Sequence, residues 1–150
     1  MPDKLPRLLL ITSAWPPPGA AVKRAAESLQ AAGLNVEVFA FRGRDPYNLA
    51  VAWTRVRPRL HPGRYDVVHA QNPTEGLLAF PKRVPLVMTI GLPHLATRLL
   101  ARLADAVVVP SEEIGRALRT RTPVHVMPPE LDDVARTMQL VDVYLSVAKG

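Results

Sequence analysis

A chain of 150 residues has the commonest size of one folding unit, so one hydrophobic core is expected and a second is not. Hydrophobic residues make up 48% and charged residues 21%, which excludes a disordered composition, and the absence of cysteine excludes disulfides and thiolate chemistry. The formal charge of +6 and pI near 10.3 admit a polyanion as partner, but the cations are mostly arginine spread along the chain, with no basic run interleaved with aromatics; nucleic acid is disfavoured.

The apolar run Leu8 to Ile11 is too short for a signal-peptide core or a bilayer span, so a cytoplasmic protein is expected, with room for peripheral attachment to the inner membrane. That run belongs to the first of six expected strands, Arg7 to Thr12, and its continuous apolar character fits a strand buried on both faces. A helix lined by Val22, Ala25, Ala26 and Leu29 follows and stops near Gly33. The second strand is Asn35 to Ala40, and Leu49, Trp53 and Val56 line a second helix ending before Pro58. Strand three, Asp66 to Ala70, runs into Asn72-Pro73-Thr74-Glu75, a start signal in which Asn caps, Pro takes the first helical position and Glu75 reaches back. Strand four is Pro85 to Ile90, followed by a helix from His94 to Leu103 with Leu95, Leu99 and Leu103 facing inward. Strand five is Asp105 to Val109, and Ser111 caps the next helix, with Glu112 and Glu113 in its first turn. Strand six, Pro123 to Met127, precedes a last helix, Asp132 to Ala148, whose apolar face is expected to be Val134, Met138, Val141, Leu145 and Ala148.

Strands alternating with helices specify an α/β, Rossmann-like three-layer domain with a six-stranded parallel sheet, and right-handed crossovers lead to the order 3-2-1-4-5-6. Residues 1–131 would form the core and 132–150 a C-terminal helix packing back on it. Ligands are then expected beyond the carboxyl ends of strands one and four, in the loops 13–19 and 91–94, with His69, Gln71 and Asn72 on the same edge.

The chemistry of those loops narrows the ligand. The first turn, Ser13 to Ala21, carries one glycine and three consecutive prolines, against the G-x-G-x-x-G that a dinucleotide requires. There is no G-x-x-x-x-G-K-[ST] for a nucleotide triphosphate and no G-x-S-x-G for ester hydrolysis. Four histidines scattered at 61, 69, 94 and 125 give no metal-ligand spacing, and no cofactor is expected.

Five stretches instead resemble family 4 glycosyltransferases, in that family's order. They are the opening Arg7 to Ala40, with its proline-rich loop and Leu29-Gln30-Ala31-Ala32-Gly33-Leu34; Tyr65-Asp66-Val67-Val68-His69-Ala70-Gln71-Asn72, similar to "DVVHAHN"; and Pro85-Leu86-Val87-Met88-Thr89, similar to "PLVVT". Ala104-Asp105-Ala106-Val107-Val108-Val109-Pro110-Ser111 is similar to "ADAVVVPS", and Val124-His125-Val126-Met127-Pro128-Pro129-Glu130-Leu131-Asp132 to "VHVIPNGVD". The resemblance implies the acceptor-side half of a GT-B glycosyltransferase. In that family a second, donor-side domain holds the nucleotide sugar through a Glu-x7-Glu motif. Only eighteen residues follow Asp132, and their pattern is similar to the family's last helix, which returns from the donor domain to the first one.

The resemblance also implies acceptor-binding positions. Gly19 matches the glycine of the family's first loop, though it equally suits a plain turn before a helix; Trp15 could stack on a sugar or lipid, or cover the sheet edge. Ser13 opens the same loop. His69 stands at a family-matching position where a hydrogen-bonded core histidine is the alternative, Gln71 replaces the family's second histidine, and Asn72 completes that strand end. After strand four the family reads "T-x-H-G", and here Thr89-Ile90-Gly91-Leu92 lacks the histidine; Gly91 remains, and His94 is the substitute or a helix starter. No catalytic residue is assigned. The expected function is an acceptor-side domain, inactive alone and dependent on a separate or lost donor domain. Its expected partners are a donor-domain protein or a second copy, a small-molecule or lipid acceptor, and a membrane surface. A non-catalytic binding module on the same scaffold, or an arginine-rich polyanion binder, is the alternative.

Overall fold

The computed structural model describes residues 5–13, 20–43 and 45–149. Six strands, β1 (Arg7–Thr12), β2 (Asn35–Ala40), β3 (Val67–Ala70), β4 (Leu86–Thr89), β5 (Ala106–Val109) and β6 (Val124–Val126), form one all-parallel sheet. Six helices flank it: α1 (Ala20–Ala31), α2 (Pro46–Val56), α3 (Pro73–Gly76), α4 (Leu95–Ala101), α5 (Glu112–Ala117) and α6 (Asp133–Lys149). The caps fall where the sequence puts them. Asn72 and Ser111 accept from the backbone N–H of Glu75 and Ile114, and Gly33 closes α1 at φ 102°, a conformation open to glycine. No helix among the described residues is long and apolar enough to cross a membrane.

The strand order is 2-1-3-4-5-6 and not the expected 3-2-1-4-5-6, because β3 pairs with β1 rather than with β2. The two faces of the sheet explain it. Ala26 and Leu29 of α1 pack with Leu8, Leu10 and Val36 on one face, whereas Ala52 and Val56 of α2 pack with Leu9, Ile11 and Phe39 on the other. Two right-handed crossovers on opposite faces carry the chain in opposite directions, so α2 returns it across β1 and sets β3 on the far side. Glu37, in the middle of β2, marks that strand as an edge; a charge there is tolerated only where the strand meets solvent. The reversal of order therefore lies between β1 and β3, and the crevice belongs to their carboxyl ends rather than to those of β1 and β4.

This topology puts a single crossover helix, α1, on the first face. The helix α6 covers the remainder, packing against α1, β3 and β4 with Leu140, Val143, Tyr144 and Val147 buried. Of the expected inward face, Val141 packs against this core partly buried, but Val134 and Met138 are 71% and 65% exposed. Two stripes of spacing three and four run along this helix, and the buried one includes its only aromatic ring, whose hydroxyl finds a partner in the sheet. Helix α4 departs in the same way. Its buried positions are Thr97 and Ala101, while Leu95, Leu99 and Leu103 are 67%, 51% and 48% exposed. Close contact with α3 and the second face selects small residues there, and the leucines are turned to solvent.

Candidate acceptor-side cavity

At the carboxyl edge of the sheet, between α1 and α6, lies a cavity of about 480 Å³. The strand ends supply its floor through His69 of β3 and Gln71 just after it, Thr89 of β4 and Pro110 after β5; α1 adds Arg24 and Ser28, and α6 adds Arg136 and Thr137. Apolar walls come from Val22, Met127, Leu131 and Leu140. A mostly apolar hollow with a few convergent polar groups is the usual form of a small-molecule site.

His69, in the floor, is held at both ring nitrogens. Its Nδ1 lies 2.6 Å from the Tyr144 hydroxyl and its Nε2 lies 2.7 Å from Thr89 Oγ1, with the two rings edge to face at 5.6 Å. Burial pushes the imidazole down to about 4 and the Tyr144 phenol above its ordinary value, so both are neutral near pH 7. A neutral imidazole donates through one nitrogen and accepts through the other. Either tautomer serves both contacts, one ring nitrogen accepting from one hydroxyl while the other donates to the second. With both ring nitrogens engaged, His69 orients Thr89 and is not poised to take a proton.

A second polar cluster fixes the strand ends on either side of the order reversal. Glu75 is buried, and its Oε1 accepts from the Ser13 backbone N–H at 2.9 Å, the Ser13 hydroxyl at 2.7 Å and the Asn72 side-chain amide at 2.8 Å. Gln71 donates its backbone N–H to the Ile11 carbonyl. The carboxyl ends of β1 and β3 are thus tied to each other by the first turn of α3. On the α6 side, the Arg136 guanidinium donates to the carbonyls of Pro128, Pro129 and Leu131, and Asp132 caps the helix through the Ala135 N–H. Arg24 is exposed on α1 at the mouth, with no carboxylate against it among the described residues.

Of the residues singled out in the sequence, His69 and Gln71 line the cavity, and Ser13 and Asn72 stand beside it, bound to Glu75. Gly91 and His94 do not line it. His94 occupies the cap position of α4 without a side-chain capping bond and is exposed, and a Cβ added at Gly91 would meet nothing, so no close approach demands glycine there. Trp15 and Gly19 lie outside the described residues. Sequence reasoning missed Thr89, Tyr144 and the buried role of Glu75. Glu75 had a signal, since a carboxylate three residues after an Asn cap is placed to bond backward; it does so to the Asn72 amide, and it also reaches Ser13 in another loop.

The family model for Glycosyltransferase Family 4 matches residues 18–133. The chain belongs to this family. Among solved structures, the family 4 chain is similar to sucrose-phosphate synthase (tll1590) from Thermosynechococcus elongatus, with TM-score 0.71 and 14% identity over 93% of this chain and 98% of that one. At that identity the likeness shows the fold, a GT-B-type Rossmann-like domain. Two weaker likenesses carry no argument: the flavoenzyme NAD(P)H:(acceptor) oxidoreductase FerB from Paracoccus denitrificans, at TM-score 0.44, 10% identity and 96% and 97% of the two chains, and the type B ribose 5-phosphate isomerase of Leishmania infantum, at 0.36, 12%, and 95% and 99%. No curated protein matches the sequence. Within the family 4 frame, the cavity beside α6 is the described place where a ligand can enter at the carboxyl edge of the sheet.

Proposed function

We propose that this glycosyltransferase-like domain is the acceptor-side half of a family 4 transferase, that it binds an acceptor in the cavity over His69, Gln71 and Thr89, and that it transfers no sugar alone. The observation that carries the reading is the cavity itself: it lies at the carboxyl edge of the sheet, apolar in its walls, with the Thr89 hydroxyl held by His69 in the floor. Such a site suits an uncharged acceptor with apolar parts and hydroxyl groups, a small molecule or the head of a lipid. Glycosyl transfer needs preorganised groups that hold the nucleotide sugar and stabilise the charge on its leaving group. The sequence has no Glu-x7-Glu, so the donor is assigned to another polypeptide or domain.

The same proposal takes α6 as the family's returning helix, because it comes after the sixth strand and covers the sheet face between α1 and β4. A cytoplasmic location belongs to the same reading. The test incubates the chain with a panel of nucleotide sugars and lipid or sugar acceptors, with and without an added family donor domain, and follows product by mass spectrometry. Product is expected only with the donor domain, and reduced by Thr89→Ala. Turnover by the chain alone that is lost in His69→Ala would overturn the proposal; saturable binding with no turnover under any pairing would favour a non-catalytic binding module.

A further inference from the structure

Helix α4 turns its apolar side outward. Leu95, Leu99 and Leu103 recur at every fourth position, opposite the buried Thr97 and Ala101, and Leu92 just before the helix is exposed too. Four exposed leucines in twelve residues, 92 to 103, form a continuous stripe rather than scattered surface residues, and stripes of that kind mark a contact surface.

The charges around the stripe choose its occupant. From Gly91 to Ala104 there is no acidic residue, and the neighbouring segments 80–85 and 117–123 have none either. Cations cluster at the end of the stripe. Arg102 and Arg121 line one hollow with Thr120 and Thr122, and the Lys82 ammonium lies 3.3 Å from the Leu103 carbonyl. Arg83 and Arg119 are exposed on the same two segments. The nearest carboxylate, Asp105, is already engaged by Lys82 at 2.9 Å and by the Leu86 N–H. A second copy of this chain docking through the stripe would bring arginine against arginine. An anionic lipid surface offers the complement: acyl chains for the leucines, and phosphates for the guanidiniums and threonine hydroxyls beside them.

The geometry points to α4 as a membrane-docking face, in which Leu92, Leu95, Leu99 and Leu103 enter the headgroup boundary of a bilayer and Arg102, Arg121 and Lys82 hold its anionic phosphates. The helix lies on the α2 face of the sheet, opposite the α6 face that holds the cavity, so docking leaves the cavity mouth open. This inference stands apart from the acceptor reading and does not require it.

The test is flotation of the full chain with vesicles of pure phosphatidylcholine and of an equal mixture of phosphatidylcholine and phosphatidylglycerol. The chain is expected to float with the mixed vesicles and not with the neutral ones, and to be released as salt is raised to about 0.5 M, which shortens the Debye length to a few Å. Leu95→Ser with Leu99→Ser, and separately Arg102→Gln with Arg121→Gln, should each weaken binding by about tenfold or more while leaving the melting temperature unchanged, because all four side chains are on the surface or at a surface hollow. The inference is overturned if the chain does not float with anionic vesicles, if it binds neutral ones equally, or if neither pair of substitutions weakens binding. It is also overturned if the chain is a dimer that the leucine pair converts to monomer, since a second copy would then cover the stripe.

Discussion

The Tyr144 hydroxyl meets Nδ1 of His69 at 2.6 Å across 75 residues of chain, joining the last helix to the centre of the sheet. Both groups are buried, so neither can exchange its partner for water. Tyr144→Phe keeps the ring and removes the bond, leaving a buried imidazole nitrogen unsatisfied at a cost of about 1–3 kcal/mol. Urea unfolding of the two proteins measures it, and equal midpoints would mean that water reaches His69 after all.

The same histidine makes stability depend on pH. Its folded-state value, about 4, lies below that of the unfolded chain, so the unfolded state binds the extra proton between those values. Stability is therefore full above about pH 6.5 and falls as the pH drops toward 4, by an amount on the order of 3 kcal/mol. Below that window the carboxylates take over. The Glu37 carboxyl, held down chiefly by the Tyr65 hydroxyl, and that of Asp66, held down chiefly by Arg7, lose their contributions as they protonate. Unfolding curves at pH 7 and pH 5 should differ for the parent chain and much less for His69→Gln. A parent as stable at pH 5 as at pH 7 would show that His69 titrates at its ordinary value.

Glu75 separates geometry from charge. Glu75→Ala removes the acceptor shared by the Ser13 N–H, the Ser13 hydroxyl and the Asn72 amide, all part-buried, and should cost about 1–3 kcal/mol. Glu75→Gln keeps a carbonyl oxygen for the two Ser13 bonds and should lose less. Thermal melts rank the three proteins, and the opposite order would show that the carboxylate's bonds do not hold the β1 and β3 ends together.

The two stripes of α6 can be told apart by truncation of single side chains. Leu140→Ala leaves a hole against the sheet and should cost about 2–5 kcal/mol, whereas Met138→Ser, on the outer stripe, should stay within about 0.5 kcal/mol. Comparable losses at the two positions would place the helix in another rotation.

Much of this was legible in the sequence. Continuous apolar runs gave six strands within a residue or two, and the Asn72, Ser111 and Gly33 signals set helix ends as written, because each depends only on neighbours in the chain. Whatever depends on which side of the sheet an element lands was harder to read. The order of β3 followed from the face chosen by α2, and the only local hint was Glu37 in the strand that became the edge. In α4 and α6 hydrophobicity alone points the leucine and methionine stripes inward, whereas close packing selects Thr97 and Ala101, and Tyr144 turns in to give His69 a hydroxyl. Within the candidate site, His69 and Gln71 were found by their place at a strand end, while Thr89 became visible only as the other partner of His69.

Because α6 follows all six strands in the chain, the sheet face that it covers stays bare while the ribosome completes everything before it. Leu8, Leu10, Val67, Val87 and Val108 then form an open apolar trough with only α1 along one side. Until α6 is made, that trough is exposed apolar surface of the kind through which incompletely folded chains aggregate, and it closes when Tyr144 meets His69.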